Sequence, residues 1–173
     1  MERLDIPDYT WSEKAKESNL LLEKYAQSNN WERFIFKKQT GEIKTYFNFG
    51  NEKIFYGSMY FSVKEQAAKW SATYGPWSNN GSGIVHGGLI ATHHDEITGI
   101  LAERCFGPCL TASLNINYKS PMPVGSTFLF ECKVVKVEGR KIFLENKIIS
   151  FESNKVVGDA SALYVLVDKE SSL

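Results

Sequence analysis

Apolar and polar positions recur with two different periods along this chain, and each period predicts a different kind of element. From Leu110 to Lys119 the period is two: Leu110, Ala112, Leu114, Ile116 and Tyr118 share one side, and Thr111, Ser113, Asn115, Asn117 and Lys119 share the other. That alternation predicts a strand with one face against a core. Lys119-Ser120-Pro121-Met122-Pro123 ends it, and three more strands are predicted over 126–137, 141–152 and 156–167. Glu138-Gly139-Arg140 and Ser153-Asn154 supply the turns between them.

The first third of the chain predicts a helix followed by strands. Thr10-Trp11-Ser12-Glu13 has the spacing of a capping box, which predicts a helix over 11–27 with Ala15, Leu21, Leu22 and Tyr25 as apolar anchors. Ser28-Asn29-Asn30 stops it. Three stretches rich in aromatic and β-branched residues, 31–38, 42–49 and 53–63, predict antiparallel strands separated by Thr40-Gly41 and Gly50-Asn51. Residues 63–71 predict one or two helical turns, and 74–83 is loop by composition.

A period near 3.6 appears over 86–106 and predicts the main helix. Gly88, Thr92, Asp95, Gly99 and Ala102 form a stripe of small residues with one charge, while Leu89, Ile90, Ile97, Ile100 and Leu101 fill the neighbouring faces. A helix apolar on several sides is buried rather than lying at a surface. Glycine inside a helix costs about 1 kcal/mol relative to alanine, so Gly99 predicts the close approach of another backbone.

Composition narrows the function classes. The 173 residues suit one domain with a proper core, read as an N-terminal helical extension over 1–30 and a main domain over 31–173. Lysine plus arginine and aspartate plus glutamate each number 20, so no nucleic-acid partner is implied. No apolar run approaches the roughly 20 residues of a transmembrane segment, and the acidic start is unlike a targeting peptide. The expectation is a cytoplasmic protein, or a mitochondrial one if a targeting segment precedes the sequence. Cys105, Cys109 and Cys132 lack the paired spacing of a zinc ribbon and read as reduced thiols.

Chemistry concentrates in Val85-His86-Gly87-Gly88-Leu89-Ile90-Ala91-Thr92-His93-His94-Asp95-Glu96. Two glycines open a helix directly after a histidine, where backbone N–H groups are unsatisfied and a ligand oxygen can come close, which makes an oxyanion site. Asp95 adds an acid or base two turns on. These parts suit attack of water on a polarised ester or thioester carbonyl. His93 and His94 diverge by about 100° on a helix and do not form a metal site.

One long helix with six to seven antiparallel strands makes an α+β chain of the hotdog class. The run His86-Gly87-Gly88 with Asp95, then Leu114-Asn115-Ile116-Asn117-Tyr118-Lys119-Ser120-Pro121 and Lys136-Val137-Glu138-Gly139-Arg140-Lys141, resembles the hotdog-fold acyl-CoA thioesterase superfamily. The likeness covers about 55–166 and is nearest to the animal superfamily members that include mitochondrial long-chain acyl-CoA thioesterases. The resemblance implies hydrolysis of acyl-CoA of medium to long chain, with no metal and no cofactor, in a homodimer or a dimer of dimers. It assigns the oxyanion N–H to Gly87, the base or nucleophile to Asp95 of the other subunit, and a water-holding hydroxyl to Thr111. His86 and Asn80 match further positions of the catalytic group; Gly88, Asn117, Lys119, Lys136, Arg140 and Lys141 match positions that contact CoA. Two other classes fit the same pattern: a hotdog protein that binds acyl-CoA or acyl carriers without turnover, and a regulatory protein whose partner docks on the N-terminal extension.

Overall fold

The computed structural model describes residues 12–34, 48–49 and 52–167. Helix α1 runs over Glu13–Ser28, followed by strand β1, Glu32–Phe34, and a short hairpin of β2, Asn48–Phe49, with β3, Glu52–Lys53. Strands β4, Phe55–Ser62, and β5, Ala67–Tyr74, lead through a single 3-10 turn at Pro76–Ser78 to helix α2, Gly87–Phe106. Four strands close the chain: β6, Cys109–Tyr118; β7, Thr127–Glu138; β8, Lys141–Ser150; and β9, Val156–Leu166. Seven of the strands form one antiparallel sheet in the order β1-β4-β5-β7-β8-β9-β6, so β6 is an edge.

This is the hotdog arrangement, a sheet packed on a central helix, and its core lies between the two. Ile90, Ile97 and Leu101 of α2 meet Trp70 and Tyr74 of β5, Phe128 and Phe130 of β7, and Ile142, Leu144 and Ile148 of β8. Strand alternation sends every second residue of β7 and β8 into this layer. The other face carries α1, which packs on β4, β5 and β7 through Leu22, Ala26, Trp31 and Tyr60.

Several expectations change on contact with the structure. Thr10 lies outside the described residues, and the cap of α1 is Ser12, whose hydroxyl accepts from the Ala15 N–H at 3.1 Å. Leu21 and Tyr25 are not anchors but stand exposed; the buried face instead includes Ser18 and Asn19, bonded to Ser71 and Ser58 of the sheet. The helical turns expected over 63–71 are a turn and then β5. Gln66 takes a left-handed backbone (φ 50°) that closes the turn, and sheet pairing with β4 and β7 overrides the helix propensity of Ala67-Ala68-Lys69. The expected strands over 35–38 and 42–47, and the Thr40-Gly41 turn, lie outside the described residues.

Two histidines of α2 sit at 0% exposure. His93 pairs with the Tyr74 hydroxyl and touches the rings of Phe55 and Trp70, while His94 Nδ1 receives the Asn146 amide at 2.8 Å. Burial pushes His93 down to about 3, helped by His94, and His94 down to about 4, opposed by Asp159. Both are neutral at pH 7. A histidine held below its unfolded value of 6.5 binds fewer protons folded than unfolded, so its stabilisation is complete above 6.5 and is lost as pH falls toward 3 or 4. Between pH 6.5 and 5 each histidine should remove about 2 kcal/mol of stability. Urea midpoints at pH 7 and pH 5 test this, and an unchanged midpoint refutes it.

Candidate active site

The loop before α2 is built to deliver a histidine to the helix start. Gly81 and Gly83 take left-handed backbones (φ 98° and 77°), and Asn79 Oδ1 accepts from the N–H groups of both. The His86 N–H donates to Ser78 O at 2.7 Å and Val85 N–H to Met122 O at 2.8 Å, so the chain enters the helix at a fixed angle. His86 is then the N-cap: its extended backbone (φ −61°, ψ 130°) stops the helix, and its Nδ1 accepts from the Gly88 N–H at 3.0 Å. A Cβ at Gly88 would stand 3.0 Å from that Nδ1, which explains the second glycine. The Gly87 N–H, first in the helix, has no acceptor among the described residues. Tyr118, at the far end of β6, donates its hydroxyl to Gly87 O at 3.0 Å and lays its ring over Gly87.

Two turns on, Asp95 is half-buried and held by two hydroxyls. Thr111 of β6 donates to Asp95 Oδ1 at 2.9 Å and Tyr164 of β9 donates to the same oxygen at 2.7 Å. Among the described residues Oδ2 has no partner, which leaves one carboxylate oxygen open. Glu96 beside it is pushed up, by burial first and by Asp95 second.

Thr111 reaches Asp95 through a departure from the alternation in the sequence. Thr111 pairs with Tyr164 and Ser113 with Leu163, so Ala112 is an extra residue in β6, a bulge. It puts Thr111 on the helix-facing side of the sheet, with Leu114 and Ile116, and not with Ser113, Asn115 and Asn117 as the unbroken period predicts. Gly99 likewise answers to a different neighbour from the backbone expected. A Cβ there would lie 3.1 Å from the Tyr164 hydroxyl. Tyr164 itself is the residue that sequence reasoning passed over; the signal was a tyrosine falling in phase with Ala160 and Ala162, opposite a mid-helix glycine.

The remaining candidates stand apart from Asp95. Asn80 is exposed, and its side-chain oxygen accepts from Ser82 N–H at 2.8 Å within its own loop. Asn117 and Lys119 both engage Asp159, which their contacts hold below the usual carboxylate range, Lys119 foremost. Lys136 pairs with Glu138 at 2.5 Å, Arg140 donates from Nε and Nη2 to Leu166 O at 3.0 and 2.7 Å, and Lys141 opens β8. The Asn117 end of β6 and the Arg140 hairpin lie at opposite ends of the sheet, since Tyr118 pairs with Gly158 but Cys109 with Leu166. A groove of about 610 Å³ opens over the polar face of β7, β8 and β9 beside Trp31, and its walls include Asn117 but neither Asp95 nor Gly87. Burial pushes all three cysteine thiols up, so none is activated as a nucleophile. Among the described residues no helix is long and apolar enough to cross a membrane.

Known proteins are similar to this chain in sequence and in fold. The family profile described as thioesterase superfamily matches residues 82–157, from the loop before α2 into β9. Acyl-coenzyme A thioesterase THEM4 of Xenopus laevis is 35% identical over 107 residues, covering 62% of this chain and 48% of the relative. The protein of the same name from Mus musculus is 41% identical over 91 residues, covering 53% and 39%. That from Bos taurus is 27% identical with 96% and 79% covered. The match thus spans under half the length of the frog and mouse proteins. Among solved structures, smu.793 of Streptococcus mutans, bound to acetyl CoA, superposes with a TM-score of 0.61 at 20% identity, over 76% of this chain and 98% of that one. Zebrafish thioesterase superfamily member 2 gives 0.59 at 19%, over 66% and 82%. The fold is shared with these solved structures, and the family match runs over the capped helix, Asp95 and strand β6, so this chain is similar to the thioesterase superfamily over residues 82–157.

Proposed function

We propose that this protein hydrolyses acyl-CoA thioesters of medium to long chain, in a homodimer whose two sites each combine Gly87 of one copy with Asp95 of the other. The observation that carries the reading is a carboxylate gripped on one oxygen and open on the other, on the same helix whose first N–H is free to receive an oxyanion. Water, activated by Asp95 Oδ2, adds to the thioester carbonyl. The carbonyl oxygen gains negative charge and takes the Gly87 N–H as donor. Collapse expels the CoA thiolate, which recovers the proton, leaving the free acid and CoA. If Asp95 attacks directly, the same donors serve an acyl-aspartyl anhydride that water then opens.

Helix geometry supports the dimer. Eight residues separate Gly87 from Asp95, about 12 Å along the axis, whereas both groups must lie within about 3 Å of the reacting atoms. One chain therefore supplies half of each site. Strand β6 ties the two halves to its two ends, Asp95 through Thr111 and Gly87 through Tyr118. Antiparallel pairing of β6 with its copy, centred near Leu114 and Asn115, brings Asp95 of one chain to Gly87 of the other. The same pairing brings the Arg140 hairpin alongside the Lys119 end of the partner, which supports a CoA phosphate site drawn from both copies. A long exposed edge strand, with Leu110 and Tyr118 uncovered, is a surface that needs such a cover.

Four outcomes test the reading. Asp95→Asn should lower kcat for acyl-CoA by about 10²-fold or more with KM little changed, read by thiol release from short, medium and long esters. Full turnover in that variant refutes the assignment. Gly87→Pro removes the proposed donor at a helix position that favours proline, after a histidine already extended, so it should fold and be inactive. Mixing the two inactive variants should restore about a quarter of wild-type activity, because half the dimers are mixed and each holds one intact site of two. No recovery in subunits shown to exchange excludes a shared site. Arg140→Ala should raise KM for CoA esters more than it lowers kcat, and an unchanged KM removes Arg140 from the CoA site.

A further inference from the structure

We infer that Tyr164 is a positioning residue for Asp95, and that Gly99 is the gap in α2 through which its hydroxyl reaches the carboxylate; this rests on the hydrolysis reading above. Tyr164 is 3% exposed, and its Oη lies 2.7 Å from Asp95 Oδ1, 2.8 Å from Asp95 O and 3.1 Å from Thr98 Oγ1. A phenol has one proton to give. Thr98 donates its own proton to His94 O at 2.7 Å, so it stands toward Tyr164 as an acceptor and does not compete to donate. Of the three acceptors the carboxylate oxygen is both charged and nearest, and charge-assisted bonds are the stronger ones. Burial holds the Tyr164 hydroxyl well above the ordinary phenol range, so it keeps its proton to donate at neutral pH.

The geometry separates two jobs that a single hydroxyl cannot do alone. Thr111 reaches Oδ1 from the edge strand, Tyr164 reaches it from the next strand in, and the two together stop the carboxylate from rotating about its own bond. Oδ2 is then directed away from both strands. Thr111 is exposed on an edge, while Tyr164 is enclosed between α2 and the sheet, so the rigid grip is the tyrosine's. Its path crosses α2 one turn after Asp95, where any side chain would intrude: an added Cβ at Gly99 lies 3.1 Å from Oη and 3.4 and 3.5 Å from ring carbons.

The test compares Tyr164→Phe, Gly99→Ala and Asp95→Asn by kcat, KM and melting temperature on one acyl-CoA. Tyr164→Phe keeps the ring and loses only the proton donor; kcat should fall about tenfold with KM within about twofold of wild type, since misplacement of a reacting group acts on the chemical step. Gly99→Ala keeps the hydroxyl and displaces it, and should lower kcat in the same way although alanine is the better helix former. A merely structural tyrosine would move the melting temperature and leave kcat alone. Wild-type kcat in Tyr164→Phe, with Asp95→Asn inactive, overturns the inference and leaves the hydrolysis reading standing; wild-type kcat in Gly99→Ala removes the role given to that glycine. Turnover in Asp95→Asn equal to wild type, or none in wild type, overturns the hydrolysis reading and the positioning role with it.

Discussion

The rotation of α2 about its own axis is fixed by three consecutive polar side chains, and the rest of the molecule depends on that setting. His93 pairs with Tyr74 of β5, His94 with Asn146 of β8, and Asp95 with Tyr164 of β9 and Thr111 of β6. Successive helical residues turn by about 100°, so the three sweep in order across the sheet from its middle to its edge. Apolar contacts alone would let a helix this uniformly greasy roll in its groove; each of these bonds is satisfied at one azimuth only. The His94 and Asn146 pair makes the point, because it leaves His94 Nε2 and Asn146 Oδ1 buried without partners among the described residues. An unsatisfied buried group costs about 1–3 kcal/mol, which suits a device that specifies orientation better than one that adds stability.

Once the helix is set, the candidate site groups fall at its N-terminal end and on its flank. His86 spends its Nδ1 on the Gly88 N–H, so of the first two amides only that of Gly87 faces outward unclaimed. The capping histidine therefore acts as a selector among donors. Asp95 shows the same economy, with both hydroxyls on one oxygen. In each case a local partner occupies one of two like atoms and leaves the other open.

Much of this was legible in the sequence and some of it was not. The α2 helix, the last four strands, the glycine pair and Asp95 were readable because each rests on a local rule: a period, a turn residue, or a carboxylate isolated among small side chains. The β5 strand was not, since Ala67-Ala68-Lys69 favours a helix locally and is a strand only because β4 and β7 flank it. Ser18 and Asn19 were not among the anchors expected of α1, and their burial depends on hydroxyls of Ser71 and Ser58 far along the chain. The side of the sheet to which Thr111 belongs turned on one extra residue that no alternation count reveals. Tyr164 was passed over for a different reason: its partner is 69 positions away.

The bulge at Ala112 gives β6 two reading frames. From Ser113 to Tyr118 the strand keeps the parity that matches β9 residue for residue, and before Ala112 the parity is reversed. A chain shorter by that one residue would keep its ladder over Ser113–Tyr118 and would still set Thr111 opposite Tyr164 on the helix-facing side, now by plain alternation with Ser113. One extra residue in β6 is thus absorbed at the bulge without moving either the hydroxyl that meets Asp95 or the ladder that pairs with β9.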